Sequence, residues 1–170
     1  MKSRIFIFIT LLALFIFLSS CEKEKKTCEE LLIAGLEYGI SEYNNNGYIF
    51  LKNADEESTF YISPNDKVVM YGEKFQDDLA STRDFAIYTS ATSPYEIAIF
   101  ECLSRNDADE ILRMCYERAD GLKVGLRFSE WERASKGIEI QIYKKHTIFC
   151  FTDSQERNEG VIDEIKSLLG

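Results

Sequence analysis

The chain has very little of what most catalytic and metal chemistry needs. It holds a single histidine, His146, in 170 residues. An HExxH zinc motif therefore cannot be written, and CxxC pairs, a P-loop and a GxGxxG turn are missing as well. Positive charge is also scarce. Twenty basic residues against 29 acidic ones give a net charge of −9, which repels phosphate backbones and excludes an electrostatic footprint for nucleic acid. No internal repeat or low-complexity tract marks a solenoid or a disordered stalk. Nor is any apolar run long enough to span a bilayer: Ile5 to Leu18 makes about 20 Å of helix, whereas the hydrocarbon core is about 30 Å thick.

That short apolar run has a different meaning. Lys2 and Arg4 precede it, and Leu18, Ser19 and Ser20 lead from it into Cys21. A basic start, an apolar stretch and small residues before a cysteine form a lipobox, which predicts cleavage before Cys21 and acylation of its side chain. Two acyl chains on one cysteine satisfy the two-signal requirement for stable anchoring. The expectation is a signal peptide over 1–20, an acylated Cys21 with a charged tether over 21–26, and one folded domain over 27–170. Removing 1–20 takes away two basic residues and no acid, so the exported chain carries −11. The location predicted is the extracytoplasmic face of the cell membrane, with the acidic domain standing off the headgroups.

With 45% hydrophobic and 13% aromatic residues, the remaining 150 residues suffice for one sizeable core. Besides Cys21 there are Cys28, Cys102, Cys115 and Cys150. An even number in an exported protein allows three full disulfide pairings, among which sequence does not choose. The last three lie in apolar runs, where free cysteine packs as a small hydrophobe, and mostly free, buried thiols are expected.

Helical spacing from Thr27, with Glu30 at the capping-box position, predicts a helix carrying Leu31, Leu32, Ala34, Leu36 and Tyr38. The run Asn44–Gly47 ends it in a turn. Tyr48 to Lys52 reads as a short strand, Asp55–Glu57 as a solvated loop, and Ser63-Pro64 as a helix start closed by Gly72, with a strand there as the close alternative. Around Ser93 and Pro94, two alternating runs over 85–90 and 95–100 form a hairpin. Asn106 is a candidate cap for a long helix with its apolar stripe at Ala108, Ile111, Leu112, Cys115, Ala119, Leu122 and Leu126. Gly121 and Gly125 within it predict a bend or a close approach to the sheet. Phe128 and Trp131 extend its apolar side, and Gly137 is the stop. Strands follow over Ile138–Tyr143 and Thr147–Phe151, then a terminal helix opened by Asp153 and Glu156 with Val161, Ile162, Ile165, Leu168 and Leu169 on its apolar face.

The fold class expected is α+β: a four-stranded antiparallel sheet in the order strand, strand, helix, strand, strand, helix over 84–170, both helices on one face, with a smaller N-terminal helix and strand added. The second half resembles an uncharacterised domain family found in predicted lipoproteins of Gram-positive bacteria, known only as a domain of unknown function. The likeness rests on SPYEIAIFECLS (Ser93–Ser104), DADEILRMCYERAD (Asp107–Asp120) and TIFCFTDSQER (Thr147–Arg157). The resemblance implies the same sheet-and-helix fold and carries no activity or functional residue.

Candidate chemistry is thin. His146 sits between Lys145 and Thr147, where a hairpin turn predicts exposure and the lysines lower its pKa. Cys150 shares its strand face but lies about 13 Å away at 3.3 Å per residue. Asp107 and Asp109 begin like a calcium loop, yet Ile111 and Leu112 break the pattern, and capping explains them. No catalytic residue, metal ligand or cofactor is assigned. The expected role is a non-catalytic binding or assembly module, partnered by an envelope protein or a cell-wall component. Tyr43, Tyr48, Tyr61, Tyr71 and Trp131 are candidates for either an interface or the core. The alternative is a thiol-dependent enzyme or redox sensor using Cys102, Cys115 or Cys150. Replacing Cys21→Ala is expected to abolish palmitate labelling and release the chain from the membrane fraction; labelling that persists would overturn the lipobox.

Overall fold

The computed structural model describes residues 25–40, 43, 46–74 and 81–170. Cys21, the cleavage residues Leu18, Ser19 and Ser20, and most of the Asn44–Asn46 turn lie outside them. The described elements are α1 (Cys28–Gly39), β1 (Gly47–Leu51), α2 (Pro64–Tyr71), β2 (Thr82–Ser90), β3 (Glu96–Cys102), α3 (Arg105–Gly125), α4 (Glu132–Ser135), β4 (Glu139–Tyr143), β5 (His146–Phe151) and α5 (Gln155–Leu169). None of these helices is long and apolar enough to cross a membrane.

The class is α+β as expected, but the sheet has five antiparallel strands in the order β1-β2-β3-β5-β4. The extra strand is β1, which pairs with β2 along its whole length, Gly47 against Ser90 through Leu51 against Ala86. The N-terminal segment is therefore part of the sheet itself. The one-face packing expected for the helices is also corrected. Phe85, Ile87, Ala98, Phe100 and Phe149 join Ile111, Met114, Cys115 and Ala119 of α3 in one core. Ala86, Tyr88, Ile97, Ile99 and Ile148 join Leu31, Leu32 and Leu36 of α1 and Val161, Ile162 and Ile165 of α5 in a second. Strand side chains alternate between faces, so two separate cores mean helices on both sides.

The physical reason lies in β3, whose seven residues are all buried. A half-buried strand reads as alternation of polar and apolar positions, whereas Ile97-Ala98-Ile99-Phe100 is continuously apolar and needs cover above and below. α1 and α5 supply one cover through a close approach. A Cβ built on Gly39 would stand 2.5 Å from Val161 Cγ2, and one on Gly35 would stand 3.0 Å from Ile165 Cδ1. Small residues at that four-residue spacing let the helix backbones meet.

The caps show how local chemistry sets the element bounds. Thr27 and Glu30 form the expected capping box, with Glu30 N donating to Thr27 Oγ1 at 3.1 Å and Thr27 N to Glu30 Oε2 at 2.9 Å. Ser63 caps α2, which has Pro64 in its first turn, and Gly72 with φ 86° ends it. For α3 and α5 the capping residue is the serine one or two places away from the residue expected. Ser104 takes Asp107 N at 3.2 Å, and Ser154 takes Arg157 N at 3.3 Å.

Gly121 and Gly125 do not approach the sheet. A Cβ on either would meet nothing within 4 Å, so neither glycine serves the close packing expected of it. In urea unfolding, Gly121→Ala is expected to stabilise the domain by about 0.5–1 kcal/mol, while Gly39→Ala destabilises it by forcing α1 off Val161. Equal effects at the two positions would contradict this helix arrangement.

Candidate functional site

Among the described residues, the buried side chains that form polar networks fall into three groups, and what each is bonded to separates architecture from a candidate site. The first lies on the α3 side. Glu96, at the start of β3, is 1% exposed and accepts from Arg118 Nη2 at 2.7 Å, from Arg118 Nε at 3.1 Å and from Tyr71 Oη at 2.7 Å. This network ties α2 and α3 to the central strand. Tyr71 also meets Phe100 edge-on at 6.2 Å, with Arg118 over its ring. Burial and the Glu96 charge push the Tyr71 phenol well above its ordinary pKa, so it stays a donor.

The second place is Asn158 on α5. Its Oδ1 accepts from Thr152 N and Thr152 Oγ1, both at 2.7 Å, and its Nδ2 donates to Gly137 O at 2.8 Å. One side chain thereby fixes the loop after β5 to the loop before β4.

The third is a row of titratable groups on the opposite face, at the end of the sheet where α1 begins. Sheet register sets Asp84 of β2 opposite Glu101 of β3, and Glu101 opposite His146 of β5. Directly paired side chains of neighbouring strands stand about 5 Å apart at Cβ. Asp84 accepts the N–H of Cys28 at 3.0 Å, closing a donor that the helix start leaves open. Glu101 takes Lys25 Nζ at 2.5 Å, with Arg83 Nη1 at 3.6 Å. Arg83 occupies the irregularity between Thr82 and Asp84 in β2, which turns it toward Glu101.

His146 completes the row and corrects the sequence reading. It is not on an exposed turn. It is the first residue of β5, 5% exposed, and neither Nδ1 nor Nε2 finds a hydrogen-bond partner among the described residues. Its pKa is lowered chiefly because burial disfavours the imidazolium. Glu101 acts in the opposite direction, and Lys25 reinforces the lowering. Sequence could not reveal this, because Lys144 with φ 56° turns the chain so tightly that the strand resumes at His146 itself.

All four of the remaining cysteines are free and buried, which was expected of Cys102, Cys115 and Cys150 from their apolar runs. Burial raises every one of these thiols: Cys102 to about 11, and Cys28, Cys115 and Cys150 further still. A desolvated neutral thiol is a poor nucleophile and a poor metal ligand. Cys28 was missed as a core residue because Thr27 and Glu29 surround it with polar sequence. Asp107 sits in the first turn of α3, and no group of three or more His, Cys, Asp or Glu side chains suited to a metal ion occurs among the described residues.

The aromatic candidates divide. Tyr71 is core, Tyr43 and Trp131 are half-buried against Tyr88 and Tyr95, Tyr61 is half-buried, and Tyr48 is exposed beside Phe50. The residue that sequence misread is Phe128, expected to extend the apolar side of α3. It is 86% exposed, in the left-handed region at φ 67°. Its N–H donates to Glu132 Oε2 at 3.0 Å, Ser129 Oγ donates to Leu126 O at 2.6 Å, and Trp131 N donates to Ser129 Oγ at 3.2 Å. A bulky residue held at positive φ and pointed at solvent costs about 1–3 kcal/mol of backbone strain. Val124, 76% exposed, stands just before it at the end of α3.

Two clefts border these groups. One of about 410 Å³ lies between the start of α1 and the loop after β1 and includes Lys52 and Asp84. Another of about 530 Å³ lies between α4 and the start of α5 and includes Trp131, Arg133 and Lys136.

Because the folded-state pKa of His146 is below the unfolded value of about 6.5, the unfolded chain takes up the proton first as pH falls. The contribution of the neutral imidazole is therefore full above about pH 7 and is lost on acidification through the unfolded value, with a slope of at most about 1.4 kcal/mol per pH unit. Denaturant unfolding between pH 7.5 and 5.5 is expected to show that slope in the parent and to lose it in His146→Phe; an unchanged slope would remove His146 as its source. No family model matches the chain, and the searches of curated proteins and of solved structures find no match to it either.

Proposed function

We propose that this chain is a lipid-anchored extracytoplasmic protein whose acidic α+β domain is a non-catalytic binding or assembly module of the cell envelope. The observation that carries the reading is the Phe128 tip. Strain and hydrogen bonds are invested there in presenting an aromatic ring to solvent, and exposed rigid aromatics are the usual anchors of protein interfaces. The buried polar networks around Glu96 and Asn158 serve architecture, and the thiol-based alternative gains no support from cysteines that are buried and held protonated.

Orientation strengthens the reading. Trp131, two residues beyond the tip loop's Ser129, packs edge-on against Tyr95, which immediately precedes β3. Lys25 meets Glu101 near the other end of the same strand. Seven residues of strand separate these ends by about 20 Å. From an acylated Cys21, the four steps to Lys25 reach at most about 14 Å. The Lys25 end is then membrane-proximal, and Phe128 faces away from the bilayer toward an envelope protein or a cell-wall component.

Crosslinking in intact cells, followed by recovery of the chain, tests this. The parent is expected to bring down a discrete partner, and Phe128→Ala to lose most of it with its thermal stability unchanged or raised. Identical recovery from the variant, or nothing above background from the parent, would overturn the proposal.

A further inference from the structure

Among the described residues, the row Asp84–Glu101–His146 holds the buried side-chain polar atoms left without a hydrogen bond, and it draws a cation from outside the helices and strands. Glu96, at the other end of β3, is neutralised by Arg118 from α3, a cation held inside the domain. Glu101 receives its nearest cation from Lys25, which precedes the first helix, remains 58% exposed and belongs to the segment that would lead to the anchor. Beside this pair stands a histidine with both ring nitrogens buried and unpartnered. An imidazole buried without a hydrogen bond leaves its polar atoms unsatisfied, and protonation adds a second N–H donor beside Glu101, its partner in the register.

We infer that Lys25, Glu101 and His146 form an acid-sensitive latch, in which protonation of His146 gives Glu101 an internal counter-charge and releases Lys25 with the tether. Two effects act in the same direction. The imidazolium competes for the carboxylate opposite it in the register, and it repels the Lys25 ammonium. The charged and titratable surroundings are consistent with one mobile member. From β2 come Asp84, committed to Cys28 N, and Arg83 at 3.6 Å from Glu101. From α1 comes the protonated Cys28 thiol, and from β4 comes Tyr143, whose hydroxyl donates to Gly170 O at 3.2 Å. Lys144 in the adjoining turn is engaged by the Leu169 carbonyl at 2.7 Å and by that of Gly170 at the end of α5. Among the described residues around this row, Lys25 is the one that reaches in from outside the helices, strands and their turns. Its release would lengthen the free connection between domain and anchor, a consequence that rests on the lipoprotein reading, while the latch itself does not.

The chain has one histidine, so the trigger can be removed cleanly. A nitroxide placed at position 24, through Glu24→Cys in the protein starting at residue 21 with Cys21→Ser, reads the tether in lipid-free protein; the buried cysteines do not compete for the label. The parent spectrum is expected to be immobilised at about pH 7.5 and to lose that component at about pH 5, with far-ultraviolet circular dichroism unchanged. His146→Gln should keep the immobilised component at both pH values, and Lys25→Gln should lack it at both. By reciprocity, a nuclear magnetic resonance titration should find the His146 pKa raised in Lys25→Gln, and this holds the test open if His146→Gln does not fold. A parent spectrum indifferent to pH, a change that survives His146→Gln, an unshifted His146 pKa, or acid mobility accompanied by loss of helical signal would each overturn the latch. Because the protein carries no lipid, these outcomes are separate from the fate of Cys21.

Discussion

Burial of β3 on both faces is the constraint from which the rest of the structure follows. Its seven residues are all buried, and Ile97, Ala98, Ile99 and Phe100 are fully so. One helical layer cannot cover such a strand, so α1 and α5 close one side while α2 and α3 close the other. At about 25 cal/mol per Å² of apolar surface removed from water, these two cores are the main favourable term holding the sheet together. Each end of β3 nevertheless carries a glutamate into that interior. Glu96 and Glu101 differ by five residues, so they face opposite layers and require separate solutions.

Those solutions are unequal in kind. Removing one partner from a buried ion pair typically costs about 3–5 kcal/mol, because the other charge is left stranded. Arg118 spares Glu96 that fate from within a 21-residue helix, with a third hydrogen bond from Tyr71. Glu101 depends on a lysine outside the helices and strands, with an arginine at longer range, beside an imidazole that has no hydrogen bond among the described residues. The same physics that makes the first network a fastening makes the second responsive to conditions.

Much of the secondary structure was legible because its signals are local. The Thr27–Glu30 box, Ser63-Pro64 with Gly72 and the Ser93-Pro94 hairpin each depend on residues within a turn of one another, and each stands where the pattern set it. Misplaced caps at Ser104 and Ser154 show the limit of such reading, since Asn106 and Asp153 are equally good capping residues and only the backbone path selects between neighbours. The candidate site was hardly legible at all. Asp84, Glu101 and His146 are 17 and 45 residues apart in sequence and become neighbours only through strand register.

The sequence by itself determined the helix and strand alternation, the acidic character, the burial of Cys102, Cys115 and Cys150 in apolar runs, and the expectation of an anchor at Cys21, because composition and short-range spacing carry all of these. Tertiary structure alone decided that the sheet has five strands with helices on both faces, that His146 is inside and Phe128 outside, and that Glu101 is left to Lys25. The reason is the two-residue period of a strand. It tells which side chains share a face but not which face meets a helix, and pairing across the sheet settles that through contacts between residues far apart in the chain.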